Sequence, residues 1–371
     1  MHLIPMQAYV DSNHHERDMA AIRKGAWHYA GLHRDLTANR DWVLAKLADR
    51  EVVVQNFEGH LSAFTNVCPH RFNAIRTGEC GNGPLVCPYH RWSFDRNGAP
   101  SGVALRDTYR DLDDDNLRLD CWDVDSCGEF VFVRPRAEKG AALRDWLGPL
   151  APRLESIGNS LGQECGRFRI DVQANWKIVL QNTLEFDHVY SVHPETFGSI
   201  MGQRPHLVGI DMPPPHVGYR STLEPSSPPV RPIHGRVAAL FERSTIGHPR
   251  EHEHLLLFPL TTIGIYRRES IAILRYIPTG AAQTAIDTRL FLPRIDGLTD
   301  SESSFLTTYA ETVMLPFARK LGEEDRTISE SVQRGVANLT GHRGVFGAGE
   351  HVVYAFQRAY CDYMEKNQKA D

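Results

Sequence analysis

The chain has 371 residues, of which 42% are hydrophobic and 23% are charged, and its formal net charge is −5. This composition is typical of a globular protein that is long enough for two domains. The negative charge and the lack of a basic run exclude nucleic acid as an expected partner. No apolar stretch approaches the ~20 residues of a membrane span, and the first residues lack the apolar core of a signal peptide. We therefore expect a cytoplasmic protein that does not bind membranes, with reduced cysteines outside any metal site.

The first part of the chain is predicted to change from helix to strand. Residues 1–44 are predicted to form a helical segment that packs on a larger C-terminal domain. From Glu51 onwards, short runs of β-branched and aromatic residues alternate with turn signals, including Glu58-Gly59 and Asn97-Gly98. This pattern predicts a small all-β domain over residues 45–138, followed by a helical stretch to about Ser160.

Two short motifs in the predicted β domain each combine one cysteine with one histidine. Cys68 and His70 form the first pair, and Cys87 and His90 form the second after a gap of sixteen residues. This C-x-H…C-x2-H pattern is typical of a Rieske [2Fe-2S] cluster, in which two thiolates hold one iron and two imidazoles hold the other. A Cys2His2 zinc site is the alternative, but it usually pairs cysteine with cysteine and histidine with histidine. Cys80 lies between the motifs without a histidine at ligand spacing, so it is predicted to be a small buried or loop residue.

The remainder, residues 139–371, is predicted to be an α+β domain with an antiparallel sheet. Consecutive strands joined by short turns support this prediction. The predicted strands are His254–Phe258, Thr262–Arg267, Ile271–Ile277 and Thr284–Leu292. Seven prolines in residues 212–232 predict an extended loop, which is either a surface excursion or a lid near a substrate entrance.

A second metal site is predicted near the start of this domain, after Asn175-Trp176-Lys177. On a helix, Glu185 and His188 are about 60° apart and can share an inward face. His193 joins them on one metal only if the helix distorts or ends, which Pro194 favours. Two histidines and one carboxylate form the facial triad that binds Fe(II) in non-haem oxygenases and leaves positions open.

The third ligand of this triad is predicted to be Asp325, with Glu324 as the alternative. Both residues lie on a predicted helix whose apolar stripe consists of Ile328, Val332, Val336 and Leu339. Asp325 projects within about 30° of the centre of that stripe, whereas Glu324 is about 75° away. Dipole complementation in the first helical turn explains Glu324 but not an inward Asp325. Three other histidines are interpreted as structural: His248, His252 and His254.

Taken together, these motifs resemble the α subunit of the Rieske non-haem iron oxygenases, the ring-hydroxylating dioxygenase superfamily. The resemblance extends from Trp27 through both metal motifs to Gln333-Arg334-Gly335. It implies a helix-grip sheet in the second domain and subunits arranged in a ring, here expected to be a homotrimer. It also implies that a carboxylate bridges a cluster histidine of one subunit and an iron histidine of its neighbour. Glu185 occupies that position, and Asp187 is the alternative.

Two departures from the commonest family pattern bear on function. Arg91-Trp92 replaces Gly-Trp after the second cluster histidine and does not affect a ligand. Aromatic-ring dioxygenases usually have aspartate at the bridging position, whereas Glu185 is similar to the branch that oxidises choline, carnitine and glycine betaine. The resemblance therefore implies an oxygenase that hydroxylates or N-demethylates a small quaternary ammonium substrate. Oxidation of an aromatic or aromatic-acid substrate is the alternative, and a simple electron carrier is a third possibility.

The expected partners and substrate contacts follow from this reading. Because the chain has no Gly-x-Gly-x2-Gly fingerprint, NAD(P)H is expected to act through a separate flavin/iron-sulfur reductase or a ferredoxin. A quaternary ammonium group would need an aromatic cage, for which five residues are available: Tyr190, Phe197, Tyr266, Tyr276 and Phe291. A carboxylated arene would instead need an arginine such as Arg267 or Arg275.

Overall fold

The computed structural model describes residues 1–109, 117–136, 140–197, 206–222, 232–248, 250–339 and 344–368. The chain divides into two compact units, and Ile22–Gly158 forms the smaller one. The larger unit combines Met1–Ala21 with Asn159–Asp371. The smaller unit begins earlier and ends later than the predicted domain of residues 45–138. Within the described ranges, no helix is both long and apolar enough to cross a membrane.

The smaller unit is mainly an antiparallel β structure. Its strands are β1 (His28–Leu32), β2 (Asp41–Leu47), β3 (Arg50–Phe57), β4 (His60–Thr65), β5 (Cys80–Asn82), β6 (Ser93–Phe94), β7 (Pro100–Gly102), β8 (Cys121–Cys127) and β9 (Phe130–Pro135). Seven strands form one sheet in the order β1-β9-β8-β4-β3-β2-β5, and β6 pairs with β7. The hairpin predicted at Glu58-Gly59 is confirmed, since Phe57 pairs with His60 and both turn residues have positive φ. Helices α2 (Leu143–Leu147) and α3 (Leu150–Asn159) follow, as predicted.

The helical prediction for residues 1–44 is wrong in its second half. Helix α1 (Ser12–Gly25) is present, but β1 and β2 then occupy the rest of the segment. All five residues of β1 are buried, and His28 pairs with Val133 of the distant strand β9. Pairing with strands that are far away in the sequence therefore overrides the local helical pattern.

The larger unit contains a second seven-stranded antiparallel sheet. Its strands are β10 (Leu161–Val172), β11 (His206–Gly209), β12 (Val217–Thr222), β13 (Glu251–Leu257), β14 (Thr261–Tyr266), β15 (Ser270–Gly280) and β16 (Gln283–Pro293). Their order is β10-β16-β15-β14-β13-β12-β11, so the predicted antiparallel sheet and its four predicted strands are confirmed. The loop predicted for residues 212–232 is wrong where β12 lies, and residues 223–231 are outside the described residues.

Helices accompany this sheet and bring the metal-site segments together. They are α4 (Trp176–Thr183), α5 (Val189–Val192), α6 (Pro232–Phe241), α7 (Asp300–Tyr309), α8 (Leu315–Ala337) and α9 (His351–Gln368), with a π-helical turn at Ala310–Met314. Helix α8 packs against β10 and α4. A Cβ on Gly322 would lie 2.4 Å from Cδ1 of Ile170, so glycine permits this close approach. The start of α4 is tied to α8 because the amide of Asn175 donates to Gln333 Oε1 at 2.8 Å.

A fully buried ion pair also anchors α4. Lys177 Nζ donates to Asp18 Oδ2 at 2.5 Å, and neither residue is exposed to solvent. The hydroxyl of Tyr360 donates to the other oxygen of Asp18, also at 2.5 Å. Burial lowers the pKa of Lys177, which the nearby Asp18 carboxylate opposes. The N-terminal segment, α4 and α9 are therefore joined by one buried polar group.

Replacing Lys177 with methionine should destabilise the larger unit strongly, because Asp18 would remain buried without its cation. We expect a loss of about 3–5 kcal/mol in the free energy of unfolding, measured by denaturant titration. The double variant Lys177→Met/Asp18→Asn should recover most of that loss. Equal stability of the single variant and the wild-type protein would contradict the anchoring role.

Candidate metal centres

The first candidate centre lies in the smaller unit and unites both cysteine–histidine motifs. Cys68 and Cys87 are buried, with 1% and 2% of their surface exposed. The rings of His70 and His90 lie at the boundary with solvent, with centroids 4.6 Å apart. Thiols on the inside and imidazoles on the outside match a cluster held by cysteines on one iron and histidines on the other. The donor set therefore fits the predicted [2Fe-2S] cluster.

The electrostatics around Cys68 indicate that its thiol needs a metal to ionise. Burial and the neighbouring Cys87 raise the pKa of Cys68 to about 11, although the backbone N–H groups of His70 and Arg71 favour its thiolate. A bound metal ion offsets this cost because it stabilises the thiolate directly. Trp92 stacks on His70 with ring centroids 4.7 Å apart and an interplanar angle of 3°. Cys80 is exposed in strand β5, so the prediction of a buried or loop residue is wrong.

The second candidate centre lies in the larger unit. His188, His193 and Asp325 each place one ligand atom within 4.8 Å of the others. The prediction that one helix carries both Glu185 and His188 is wrong, because α4 ends at Thr183. His188 and His193 instead flank the single turn of α5, and their ring centroids are 5.2 Å apart. The helix therefore ends well before Pro194, and the non-helical residues that follow it let two histidines five positions apart converge.

Both imidazoles direct the same ring nitrogen towards Asp325. Nε2 of His193 is 3.0 Å from Asp325 Oδ1, and Nε2 of His188 is 3.5 Å from the same oxygen. The side-chain amide of Asn182 donates to that oxygen at 2.7 Å. The resulting set of two imidazole nitrogens and one carboxylate fits a mononuclear Fe(II) site with open positions.

The opposite nitrogen of each imidazole meets a glutamate. Nδ1 of His188 donates to Glu185, which also accepts the backbone N–H of His188 at 3.2 Å. Nδ1 of His193 donates to Glu324 Oε2 at 2.7 Å, and the hydroxyl of Thr196 donates to the same oxygen at 2.7 Å. Glu324 therefore contacts the ring edge that faces away from Asp325. Sequence reasoning missed this contact because its partners are separated by 131 positions.

The charges of the three converging residues are coupled. Burial opposes the protonation of His188, but Asp325 and Glu185 outweigh this effect and raise its pKa to about 9. Burial likewise opposes ionisation of Asp325, yet hydrogen bonds from His188 and His193 lower its pKa to about 2. Without metal, His188 is thus a cation beside a carboxylate, and metal binding must displace its proton.

The helical stripe used to orient Asp325 is wrong. Val332 and Leu339 are exposed, whereas the buried positions of α8 are Ser329 and Gln333. Asp325 precedes Ser329 by one turn, so it lies on the buried face for a different reason. Gln333 accepts from Asn175 and donates to the carbonyl of Tyr9, which explains why a polar residue is buried there.

Glu185 and Asp187 point in different directions. Glu185 contacts His188, whereas the carboxylate of Asp187 lies close to Gly349, where a Cβ would be 2.7 Å from its oxygens. Of the two acids considered for the bridging position, Glu185 is therefore the one that meets an iron-site histidine in the described structure.

A cluster of aromatic side chains packs next to the iron-site histidine His193. Phe197 lies 6.5 Å from His193 and 5.2 Å from Tyr266, measured between ring centroids. The hydroxyl of Tyr276 meets that of Thr183 at 3.0 Å. Four further rings belong to the same cluster and were not predicted: Phe186, Tyr219, His252 and His254.

The other four residues predicted to contact a substrate are either exposed or in contact with charged side chains. Tyr190 is 37% exposed, and Phe291 packs against Arg289. Arg275 pairs with Asp287 at 3.3 Å, and Arg267 lies 3.5 Å from Glu269.

Two family models match the chain, one for each unit. The Rieske [2Fe-2S] domain matches residues 26–111, and the ring hydroxylating alpha subunit (catalytic domain) matches residues 162–366. Together they include both candidate metal centres.

The curated relatives that match the chain are named as oxygenase subunits of monooxygenases. The glycine betaine monooxygenase oxygenase subunit of Pseudomonas aeruginosa is 29% identical over 200 residues, covering 53% of this chain and 46% of the relative. The carnitine monooxygenase oxygenase subunit of Escherichia coli is 26% identical over 214 residues, covering 54% of each. In these matches, the chain spans about half the length of its curated relatives.

Solved structures extend the likeness over the whole fold. A quaternary ammonium Rieske monooxygenase in complex with L-carnitine superposes with a TM-score of 0.74 at 22% identity, covering 97% of this chain and 95% of that one. Naphthalene 1,2-dioxygenase with indole bound superposes with a TM-score of 0.76 at 21% identity, covering 97% and 91%. The predicted α+β class, a small all-β Rieske domain plus a helix-grip catalytic domain, is thereby confirmed. The chain belongs to the Rieske oxygenases that carry the ring-hydroxylating α-subunit catalytic domain.

Proposed function

We propose that this protein is a terminal oxygenase that uses O2 and reductase-derived electrons to hydroxylate or N-demethylate a small quaternary ammonium compound. The main supporting observation is the convergence of His188, His193 and Asp325 beside a cluster of aromatic rings. By their names, the relatives act on glycine betaine, carnitine and choline.

The smaller unit is proposed to receive the electrons. Cys68 and Cys87 would hold one iron of a [2Fe-2S] cluster, and His70 and His90 would hold the other. The partly exposed imidazole edges suit electron entry from a separate reductase, directly or through a ferredoxin. That reductase would consume NAD(P)H. The seven cysteines, all within the described ranges, form no disulfide, in keeping with a cytoplasmic location.

The larger unit is proposed to carry the reaction site. His188, His193 and Asp325 would hold Fe(II), which would supply the O2-activating chemistry with electrons from the cluster. With the metal bound, Glu185 and Glu324 would keep the imidazole protons on Nδ1, so that both Nε2 lone pairs would face the metal.

Glu185 is further proposed to connect the two kinds of centre in a homotrimer. One of its oxygens engages His188 Nδ1 and leaves the carboxylate able to accept a second imidazole N–H. In a ring of subunits, that second imidazole would belong to the cluster of a neighbouring copy. Carboxylates that contact metal-bound imidazoles commonly orient them in this way.

The proposed substrate class rests on the rings next to the iron ligands. A desolvated cation over an aromatic face gains about 2 kcal/mol. Phe197 adjoins the metal-site ligand His193, and Tyr266 packs on the ring of Phe197. A trimethylammonium group against Phe197 would therefore place its methyl carbons close to the iron.

Oxidation of an aromatic or aromatic-acid substrate is the second candidate. The apolar rings of Phe186 and Phe197 would also accommodate an arene. An aromatic carboxylate, however, would favour an available arginine. Because Arg275 and Arg267 already have carboxylate neighbours, this candidate ranks second.

A turnover assay on paired substrates should distinguish these two functions. With a partner reductase, we expect NADH and O2 consumption coupled to product formation on betaines or choline, but not on arenes. A His188→Ala variant should abolish product formation while retaining the Rieske visible and EPR spectra, whereas the exposed control His248→Ala should remain active. Coupled turnover on arenes alone would overturn the proposed substrate class.

Glu185→Gln should slow electron transfer between the centres, because the amide weakens the link to His188. In a single-turnover experiment with a prereduced cluster, we expect cluster oxidation to slow by about tenfold to a hundredfold. The matched variant Asp187→Asn should remain within a few-fold of wild type. If Asp187→Asn slowed cluster oxidation more than Glu185→Gln did, Asp187 would be the bridge.

Glu324→Gln should weaken Fe(II) binding, because His193 would lose the charged acceptor that fixes its tautomer. We expect the dissociation constant, measured by anaerobic metal titration of the iron-depleted site, to rise about tenfold to a hundredfold. Glu323→Gln, which alters an exposed neighbour paired with Arg326, is the control. Equal iron affinity in both variants would show that Glu324 does not position His193.

A further inference from the structure

Each iron of the proposed cluster would take its protein ligands from two separate loops of the smaller unit. The first loop spans residues 66–76 and the second spans residues 83–94, and each carries one cysteine and one histidine of the two motifs. One iron would be held by the two cysteines and the other by the two histidines. Both irons therefore depend on both loops, so the distance between the loops affects the whole cluster.

Each loop is closed by its own backbone hydrogen bonds. In the first loop, the N–H of Cys68 donates to the carbonyl of Asn73 at 2.9 Å. In the second loop, the N–H of Cys87 donates to the carbonyl of Trp92 at 2.8 Å. These bonds shape each loop internally, but they do not set the distance between the two loops.

The base of the first loop is fixed by the buried side chain of Asn66. Its Oδ1 accepts the N–H of Ile75 at 3.0 Å and that of Arg76 at 2.8 Å. Its Nδ2 donates to the carbonyl of Arg76 at 2.9 Å. Only 2% of Asn66 is exposed, so water competes little for these bonds. The backbone of Arg76 is therefore held at the base of the loop that carries Cys68.

The side chain of Arg76 crosses from this point to the base of the second loop. Its Nη2 donates to the carbonyl of Gly83 at 2.7 Å and to that of Pro84 at 2.8 Å. The same Nη2 lies 2.9 Å from Gln55 Oε1, and Gln55 Nε2 donates to the carbonyl of Gly83 at 3.1 Å. Because Pro84 precedes Cys87 by three positions, one guanidinium links the bases of the two loops.

The guanidinium of Arg76 also packs on the core beneath both thiols. Its central carbon is 4.9 Å from the centre of the Trp42 ring. Trp42 belongs to the same buried cluster as Cys68 and Cys87. Burial lowers the pKa of Arg76, and charge-assisted hydrogen bonds to three oxygens offset the cost of burying the charge. An apolar side chain would pack there without that cost, so the hydrogen bonds explain why an arginine is present.

We propose that Arg76 is a positioning residue for the [2Fe-2S] cluster, because it fixes the distance between the two loops that hold the irons. This inference rests on the proposed function, since it concerns the proposed cluster. Arginine suits this role because its planar group donates to oxygens at its edge while its face stacks on Trp42. Asn66 supports it by holding the backbone from which the side chain extends.

Replacing Arg76 with methionine tests this role, because methionine keeps an apolar stem and removes every donor. When the holoprotein is challenged anaerobically with an iron chelator, we expect the cluster absorption to be lost about tenfold to a hundredfold faster than in wild type. Arg134→Met is the matched control, since Arg134 lies 4.5 Å from the Trp27 ring and donates to the carbonyl of Ala141, outside both loops. This control should lose its cluster within a few-fold of the wild-type rate.

Two readouts separate positioning from a general loss of stability. In Arg76→Met, the mononuclear iron of the larger unit should be released at the wild-type rate, while the EPR g-values of the reduced cluster should shift because its ligands move. Gln55→Leu removes one acceptor of Arg76 and one donor to Gly83. It should also accelerate cluster loss, so it decides the question if Arg76→Met does not fold. Equal cluster loss in Arg76→Met and Arg134→Met, or equally accelerated release of the mononuclear iron, would overturn the inference.

The proposed function and this inference fail in different ways. A wild-type protein that shows no Rieske EPR signal and holds zinc in these loops would contradict the proposed electron inlet. The rates of zinc release from Arg76→Met and Arg134→Met would then decide whether Arg76 holds the loops together. A wild-type Rieske signal, with a cluster that is equally durable in both variants, would leave the proposed function intact and overturn the inference.

Discussion

Two hydrogen bonds between imidazole and carboxylate determine how the larger unit presents its candidate iron ligands. Glu185 and Glu324 accept the Nδ1 protons of His188 and His193, which leaves both Nε2 atoms facing Asp325. Without these acceptors, either ring can take the other tautomer and present a protonated nitrogen to the metal. The geometry of the centre therefore depends on carboxylates that do not themselves face the metal position.

The fold supports these hydrogen bonds from two sides. Helix α8 supplies Glu324 and Asp325, and its close approach to β10 at Gly322 sets their position. Helix α4 ends just before Glu185, and its first turn is held by the buried Lys177–Asp18 pair. His188 and His193 flank the short helix α5, and Asp325 lies within α8. Aromatic side chains of the sheet adjoin this site through Phe186 and Phe197.

The most local features could be predicted from the sequence. The cluster motif, the Glu58-Gly59 hairpin and strands β13–β16 depend on short spacing or on period-two alternation. Strand β1 could not, because it depends on pairing with the distant strand β9. The end of α4 at Thr183 could not either, because no proline or glycine marks it in the sequence. The apolar stripe that predicts an inward Asp325 is wrong, since α8 buries Ser329 and Gln333 instead.

The most direct test of this account is a crystal structure of the iron-loaded protein with anomalous data at the iron edge. We expect a pair of iron peaks bounded by Cys68, Cys87, His70 and His90. We also expect a separate single peak coordinated by Nε2 of His188, Nε2 of His193 and the carboxylate of Asp325, with Glu185 and Glu324 on the Nδ1 atoms. A single zinc ion in the cysteine–histidine site, or iron bound by Glu324 in place of Asp325, would contradict the account.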